Sequence, residues 1–474
     1  MKKTLFKIAC LSLILGFGAC TQTHDDGADI TIEEGDPTLM ALSLSFPVPD
    51  KTRGEEETGL ASESAINTVD VFIYGANRVY LSHTRFLQSD FDITGGKYTG
   101  KKLIKTTSGL KFIFVGANLP ETVIQKVIDG FHTTALSTEA QYITKEMMVG
   151  SGEDAFVMCS KELESKTLAT YTPSTDDATD PNLPADNKFD VELVRLAAKV
   201  TVAEGKNLER RTPEGTFVGN IEFAVDHFNN KTFLLQGSAP KYADPNWDEP
   251  GWKAGDKKKG NDSIKYSNYW DDLAKKPAGT GYQAINQNGT AFAQLAKAYV
   301  AENTSEPGIL LKGTLTRLII RGRFKPDYVY VANDQQQLNP PLGYQLQDNR
   351  SGDVGTFYLI MNSAGQAYYC LDGAILPGLS DAVKGASDNR VYTYTNGYCY
   401  YDLWLNNDEK APVRYQPLRN EYYACTITAI KALGNPTEEL DDPDMTMLEP
   451  TTNIAVDMDI MPWTVVPHDY VLGE

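Results

Sequence analysis

At 474 residues the chain is long for one domain and fits two or three. With 41% hydrophobic and 23% charged residues it has the composition of a globular protein and is too apolar for disorder. The formal charge of −19 argues against a nucleic-acid partner, which would need surplus Lys and Arg, and against general adhesion to anionic membranes.

The chain opens with Lys2, Lys3 and Lys7, followed by the apolar run Ile8–Ala19, too short to span a bilayer. The run ends in small residues and Cys20, the pattern of a bacterial lipoprotein signal, in which the Cys20 thiol is acylated and the preceding peptide removed. Loss of residues 1–19 takes three lysines and no acid, moving the charge from −19 to −22. Residues 21–38 are polar and acidic, as a tether would be. Cys159, Cys370, Cys399 and Cys425 stand among apolar or aromatic residues, and buried thiols are favoured there over disulfides. No CxxC pair offers a metal or redox site.

The body reads as strands: alternating or continuous apolar runs bounded by Gly, Pro and Asn. They are Leu39–Val48, Ala65–Tyr74, Leu110–Ala117, Phe189–Ala203, Asn220–Phe228, Gly313–Phe324, Tyr328–Ala332, Thr356–Met361, Val391–Leu405, Asn420–Ile430 and Asn453–Val466. Two segments have helical spacing, Pro120–Ile128 with Gly130 at its end, and Thr290–Ala301. Loop-like zones fall at Tyr171–Asn187 and Gly237–Tyr282. The pattern predicts an all-β protein of two β-sandwiches with a few short helices.

Motifs for catalysis are poor. The five His are far apart, and no GxSxG elbow exists. Gly95–Lys101 has P-loop spacing, but Lys102 follows where magnesium binding needs Ser or Thr, and Thr94–Tyr98 reads better as a hairpin turn. Gly279, Gly281 and Ala284 follow Lys-Lys-Pro and no strand, which disfavours a dinucleotide site. The acidic run Leu440–Asp444 lacks calcium-loop spacing and reads as a solvated linker. The expectation is a non-enzyme without cofactor or metal.

The two ends of the chain carry matching strands. Met40, Leu42, Leu44 and Phe46 share one face of the first; Ile454, Val456, Met458 and Ile460 share one face of the last, with Asp457 and Asp459 opposite. After the first strand comes Pro47–Gly59, polar and rich in Pro, Gly and Glu, with a basic site from Lys51 to Arg53. Such a loop is a preferred place for proteolysis. A cut between Arg53 and Gly54 severs both the first strand and the Cys20 anchor from the rest. Four buried aliphatic side chains, at about 1.5–3 kcal/mol each, make the emptied slot worth refilling. A neighbour's strand would do so, and head-to-tail addition does not close on itself, so it builds a filament.

The Cys20 signal, the alternating first strand, the Arg53 site, Leu193–Val200, Pro417–Tyr423, Ile427–Gly434 and Val456–Trp463 together resemble Bacteroidales fimbrillins, the subunits of type V pili, nearest the Mfa type. The resemblance is strongest in the last eighty or so residues. It implies two tandem transthyretin-like β-sandwiches and export as an outer-membrane lipoprotein. It further implies removal of the N-terminal segment by an arginine-specific protease, and polymerisation with copies of itself and related subunits into a cell-surface fimbrium. In that scheme residues 1–19 are the signal and 20–53 the tether with the removable strand. Residues 54–204 and 205–440 are the two sandwiches, and 441–474 is the donor segment, with Ile454–Ile460 entering a neighbour and Trp463 near the strand's end. Here Gly54 follows the Arg, and only Asn435–Thr452 precedes the donor. Two other readings compete: a tip or adhesin subunit of the same fimbria, disfavoured by the intact last strand, and a glycan-binding lipoprotein using Trp247, Trp252 and Trp270 as a stacking platform.

Overall fold

The structure is a computed structural model that describes residues 35–46, 63, 65–94, 96–138, 141–142, 155–173, 178–226, 228–229, 231–236, 242, 244–245, 270–271, 281–285, 296–305, 310–333, 341–384, 388–406, 413–440 and 454–462. It is an all-β architecture with two large hydrophobic cores. Among the described residues no helix is long and apolar enough to cross a membrane.

The first core is enclosed by a ten-stranded sheet. Its strands begin with β1 (Pro37–Ser45), β2 (Thr68–Tyr74), β3 (Tyr80–Leu87), β4 (Phe91–Thr94), β5 (Lys97–Gly100), β6 (Ile104–Thr107) and β7 (Gly109–Ala117). They continue with Met158–Ser160, Glu164–Leu168 and Lys188–Arg195. Along the sheet the order is β3, β2, β7, Met158–Ser160, Lys188–Arg195, β1, β5, β4, with β6 also on β1 and Glu164–Leu168 on β7. β4 and β5 form a hairpin in which Thr94 faces Lys97, and Lys97–Gly100, inside the stretch with P-loop spacing, is strand. The helix expected at Pro120–Ile128 is α1 (Glu121–Asp129), capped by Gly130, with Val123, Ile124 and Val127 buried.

The second core lies between two sheets. One is four-stranded, ordered Lys297–Ala301, Ala197–Glu204, Glu421–Ile430, Ile454–Pro462. The other is built on Gly215–Asp226, Arg317–Pro326 and Tyr398–Trp404. Phe357–Met361 joins the core from a three-stranded sheet.

Three sequence expectations change. The helical spacing at Thr290–Ala301 ends in a strand, Lys297–Ala301, paired antiparallel with Ala197–Thr201. Ala298 and Val300 alternate into the core with period two, and the ladder outweighs the helical spacing. Phe189–Ala203, a single apolar run, is two strands in two sheets: the chain crosses from the first to the second at Leu196. Val391–Leu405 is likewise two strands, because Asn396 and Gly397 take positive φ (53° and 77°) and turn the chain between sheets.

All four cysteines outside the N-terminal segment are buried thiols. Burial above all pushes Cys159 up to about 12 and Cys399 up to about 11, and burial with the nearby Asp372 pushes Cys370 up to about 11, so they behave as core residues.

Candidate assembly site: the two end strands

β1 stands inside the first sheet, bonded on both edges. On one edge it runs parallel to Lys188–Arg195, with Leu42 against Phe189, Leu44 against Val191 and Ser45 against Glu192. On the other it runs antiparallel to β6 and then β5, with Met40 against Ile104 and Leu44 against Tyr98. The alternation Met-x-Leu-x-Leu aims one face inward: Met40, Leu42 and Leu44 are 0–1% exposed in the first core. Phe46 packs at the core's margin, its ring edge-on to Tyr98 at 5.8 Å.

The other face of β1 is covered too. Ala41 and Leu39 pack with Leu103, Ala178, Leu183 and Tyr171. The covering segment is held by Ala178 N–H, which donates to the Lys101 carbonyl (3.3 Å), and by Tyr171 Oη, which donates to Asp180 Oδ2 (2.5 Å). Asp180 also accepts from the Asn182 N–H at 2.8 Å. The tyrosine bond, then that amide, hold the Asp180 carboxyl below the usual carboxylate range.

Asn187 was not legible as a site residue. It is fully buried, and its Nδ2 donates to the Leu39 carbonyl (2.8 Å), the Ala169 carbonyl (3.0 Å) and Thr38 Oγ1 (3.1 Å). Its Oδ1 accepts from Ala169 N–H at 2.9 Å. One side chain thus fastens the start of β1 to Ala169. The signal was Asn at the head of an apolar run, after Pro184.

Because β1 and Lys188–Arg195 are parallel, Phe46 leaves the sheet at the end where Arg195 lies, about 10 Å past Glu192. Glu63 sits against Arg195, whose Nε donates to the Glu63 carbonyl at 2.7 Å. Phe46 and Glu63, the described residues on either side of 47–62, thus lie toward the same end of the sheet. Arg53 and Gly54 belong to this stretch and lie outside the described residues, as do Cys20 and Trp463.

The last strand, Ile454–Pro462, is placed at the rim of the four-stranded sheet of its own chain. Among the described residues it has one ladder partner, the antiparallel Glu421–Ile430. The register sets Val456, Met458 and Ile460 opposite Ile427, Cys425 and Tyr423, which lie in the second core, and Asp457 and Asp459 opposite Thr426 and Ala424. Ile454 faces Ile430 across a bulge at Thr428. The four apolar positions thus share the register of a core-facing row. Of the proposed stacking platform, Trp247 and Trp252 lie outside the described residues, and only the backbone pairing of Trp270 is described.

Residues 392–469 match the family described as major fimbrial subunit protein type IV, fimbrillin, C-terminal. That stretch contains the last strand and its ladder partner. The chain is 22% identical to the minor fimbrium subunit Mfa1 of Porphyromonas gingivalis, in an alignment covering 98% of each protein. Among solved structures it is similar to a fimbrilin, FimA, of Porphyromonas gingivalis W83, at 16% identity and a TM-score of 0.46, covering 90% of this chain and 98% of that one. It is also similar to the tip fimbrial protein Mfa3 of Porphyromonas gingivalis, at 13% identity and a TM-score of 0.39, covering 90% and 100%. The family match and the full-length relative support a fimbrial subunit of the fimbrillin class.

Proposed function

We propose that this fimbrial subunit is a structural, non-enzymatic element of a cell-surface fimbria that polymerises by strand exchange and supports adhesion. The precursor is exported with Cys20 acylated and is held at the outer membrane by that anchor. An arginine-specific protease cuts between Arg53 and Gly54. Met40, Leu42, Leu44 and Phe46 then leave with their strand, and Ile454, Val456, Met458 and Ile460 of another copy or a related subunit fill the slot. Trp463 lies just past the donor strand.

The observation that carries this reading is the placement of β1. It is buried on its inner face, partly covered on its outer face and bonded on both edges, yet in sequence a polar, protease-suited segment separates it from the rest of the fold. Losing it empties a slot lined by apolar side chains and by two rows of backbone groups without partners, a strong template for a new strand.

The test is N-terminal sequencing of the protein recovered from assembled fimbriae, together with Arg53→Ala and Cys20→Ser precursors. A start at Gly54, monomeric Arg53→Ala, and loss of fatty-acid labelling in Cys20→Ser are expected. Fimbriae forming at normal yield from Arg53→Ala would refute the processing step.

A further inference from the structure

The motifs Leu193–Val200 and Pro417–Tyr423 meet in the fold around one buried acid. Glu63 is 1% exposed. Its carboxylate accepts from Lys199 Nζ at 2.7 Å and from Tyr299 Oη at 2.6 Å. Its backbone carbonyl takes the bond from Arg195 Nε, and Arg195 also donates to Asn420 Oδ1 from its N–H (3.2 Å) and Nη1 (3.3 Å). Asn420, at φ 60°, returns its own N–H to the Ala197 carbonyl at 2.9 Å. Arg195 and Lys199 are each 1% exposed, and Lys199 Nζ also stands 5.3 Å from the centre of the Tyr422 ring.

The position of this bracket matters more than its burial. Arg195 ends the strand that forms one wall of the β1 slot. On its other edge that wall strand pairs with Met158–Ser160 only over Leu193–Arg195. With β1 gone, Lys188–Glu192 keeps no ladder partner among the described residues. The start is then fastened through Asn187 to Ala169, Glu192 through its carbonyl, which accepts from the Lys161 N–H at 2.8 Å, and the end through the Met158–Ser160 ladder and through Arg195 to Glu63 and Asn420. A buried ionic network is a poor way to add stability that apolar side chains would give more cheaply, but it fixes geometry.

We propose that Glu63, Lys199, Tyr299, Arg195 and Asn420 form a bracket that holds the wall strand in register while the slot is empty, keeping the acceptor ready for a strand. This rests on the strand-exchange reading only for what refills the slot. Glu63 is a positioning residue, and its effect is confined to the state without β1.

The experiment uses the full chain. Leu42→Asp with Leu44→Asp unseats β1 without any cut, and hydrogen exchange then follows the amides of Leu193–Arg195 and Met158–Ser160. With Glu63 intact these amides stay protected. Adding Glu63→Gln raises their exchange at least tenfold and weakens uptake of a dye-labelled peptide spanning Asn453–Val466 at least tenfold. With β1 seated, Glu63→Gln alone changes the same amides less than twofold. Tyr299→Phe, the milder variant, shows the same pattern at about threefold. The proposal is overturned if those amides are already unprotected with Glu63 intact, or if Glu63→Gln exposes them equally with β1 seated, which is the behaviour of an ordinary core prop. If the bracket-intact chain binds no peptide, strand exchange fails, while the exchange rates still decide on the bracket.

Discussion

The first and last strands share a pattern of four apolar residues at alternate positions and differ in almost everything around it. β1 has a neighbour on each edge and cover on each face, including an asparagine dedicated to its first residues. Among the described residues the last strand has one neighbour and lies at a rim. The pattern sets which face of a strand is apolar; the neighbours set what its removal costs. On the proposed strand exchange, this difference fits a first strand that is lost only by cutting and a last strand that passes to another molecule.

The sharpest way to break this contrast is to place matched charges in both strands. Leu42→Asp with Leu44→Asp buries two carboxylates in the first core and should lower the melting temperature of the uncut chain by about 10–20 °C. Val456→Asp with Met458→Asp should lower it by less than about 3 °C in the monomer, yet abolish elongation. Equal losses in calorimetry would mean that the last strand is as integral to its own chain as β1, and the contrast would be wrong.

Next in size is a single truncation. Leu44→Ala should cost about 2–5 kcal/mol by denaturant unfolding, since Leu44 is wholly buried. Asn187→Ala should follow, at about 1–3 kcal/mol, by leaving the Ala169 amide and the Leu39 carbonyl short of partners. Its effect should shrink in the Leu42→Asp, Leu44→Asp background to the share of the Ala169 bonds, since the bonds to Thr38 and Leu39 go with β1. An undiminished cost there would assign Asn187 to the loop around Ala169 alone.

The contrast was half visible in the residues. Both end strands, α1 and most central strands could be read because each has an unbroken period. The inward face of β1 is legible because alternation decides a face, and Met40, Leu42 and Leu44 lie on it. Neighbours could not be read. Nothing local marks Leu196 as the crossing point, since the strands on either side are equally apolar and no turn residue separates them. The Asn396-Gly397 turn was legible and was overridden by the aromatic run around it. Lys297–Ala301 has a helical spacing that only its ladder partner overrules. Glu63 and Asn187 escaped notice because their roles are made by residues more than a hundred positions away, Lys199 and Thr38 among them.

The smallest expected effect concerns the cover on the outer face of β1, and it depends on pH. Asp180 is held below the ordinary carboxylate value of about 3.9 by the Tyr171 hydroxyl and the Asn182 amide. A carboxyl with a depressed pKa in the fold lends stability that is complete above its unfolded value and fades as pH falls through its folded value. Between pH 7 and 5 the cover should therefore be indifferent to acid. Below about pH 4 it should loosen as Asp180 takes up a proton and Tyr171 loses its charged acceptor. Tyr171→Phe removes the larger of the two restraints, so the variant should start from a slightly lower melting temperature and lose less on acidification. Melts from pH 6 to pH 3 should show the gap between wild type and Tyr171→Phe closing as acid is added. The last strand pairs in a different sheet from β1, so Tyr171→Phe should leave its exchange with solvent unchanged at every pH. A gap that stays constant down to pH 3 would detach the Tyr171–Asp180 bond from the holding of β1.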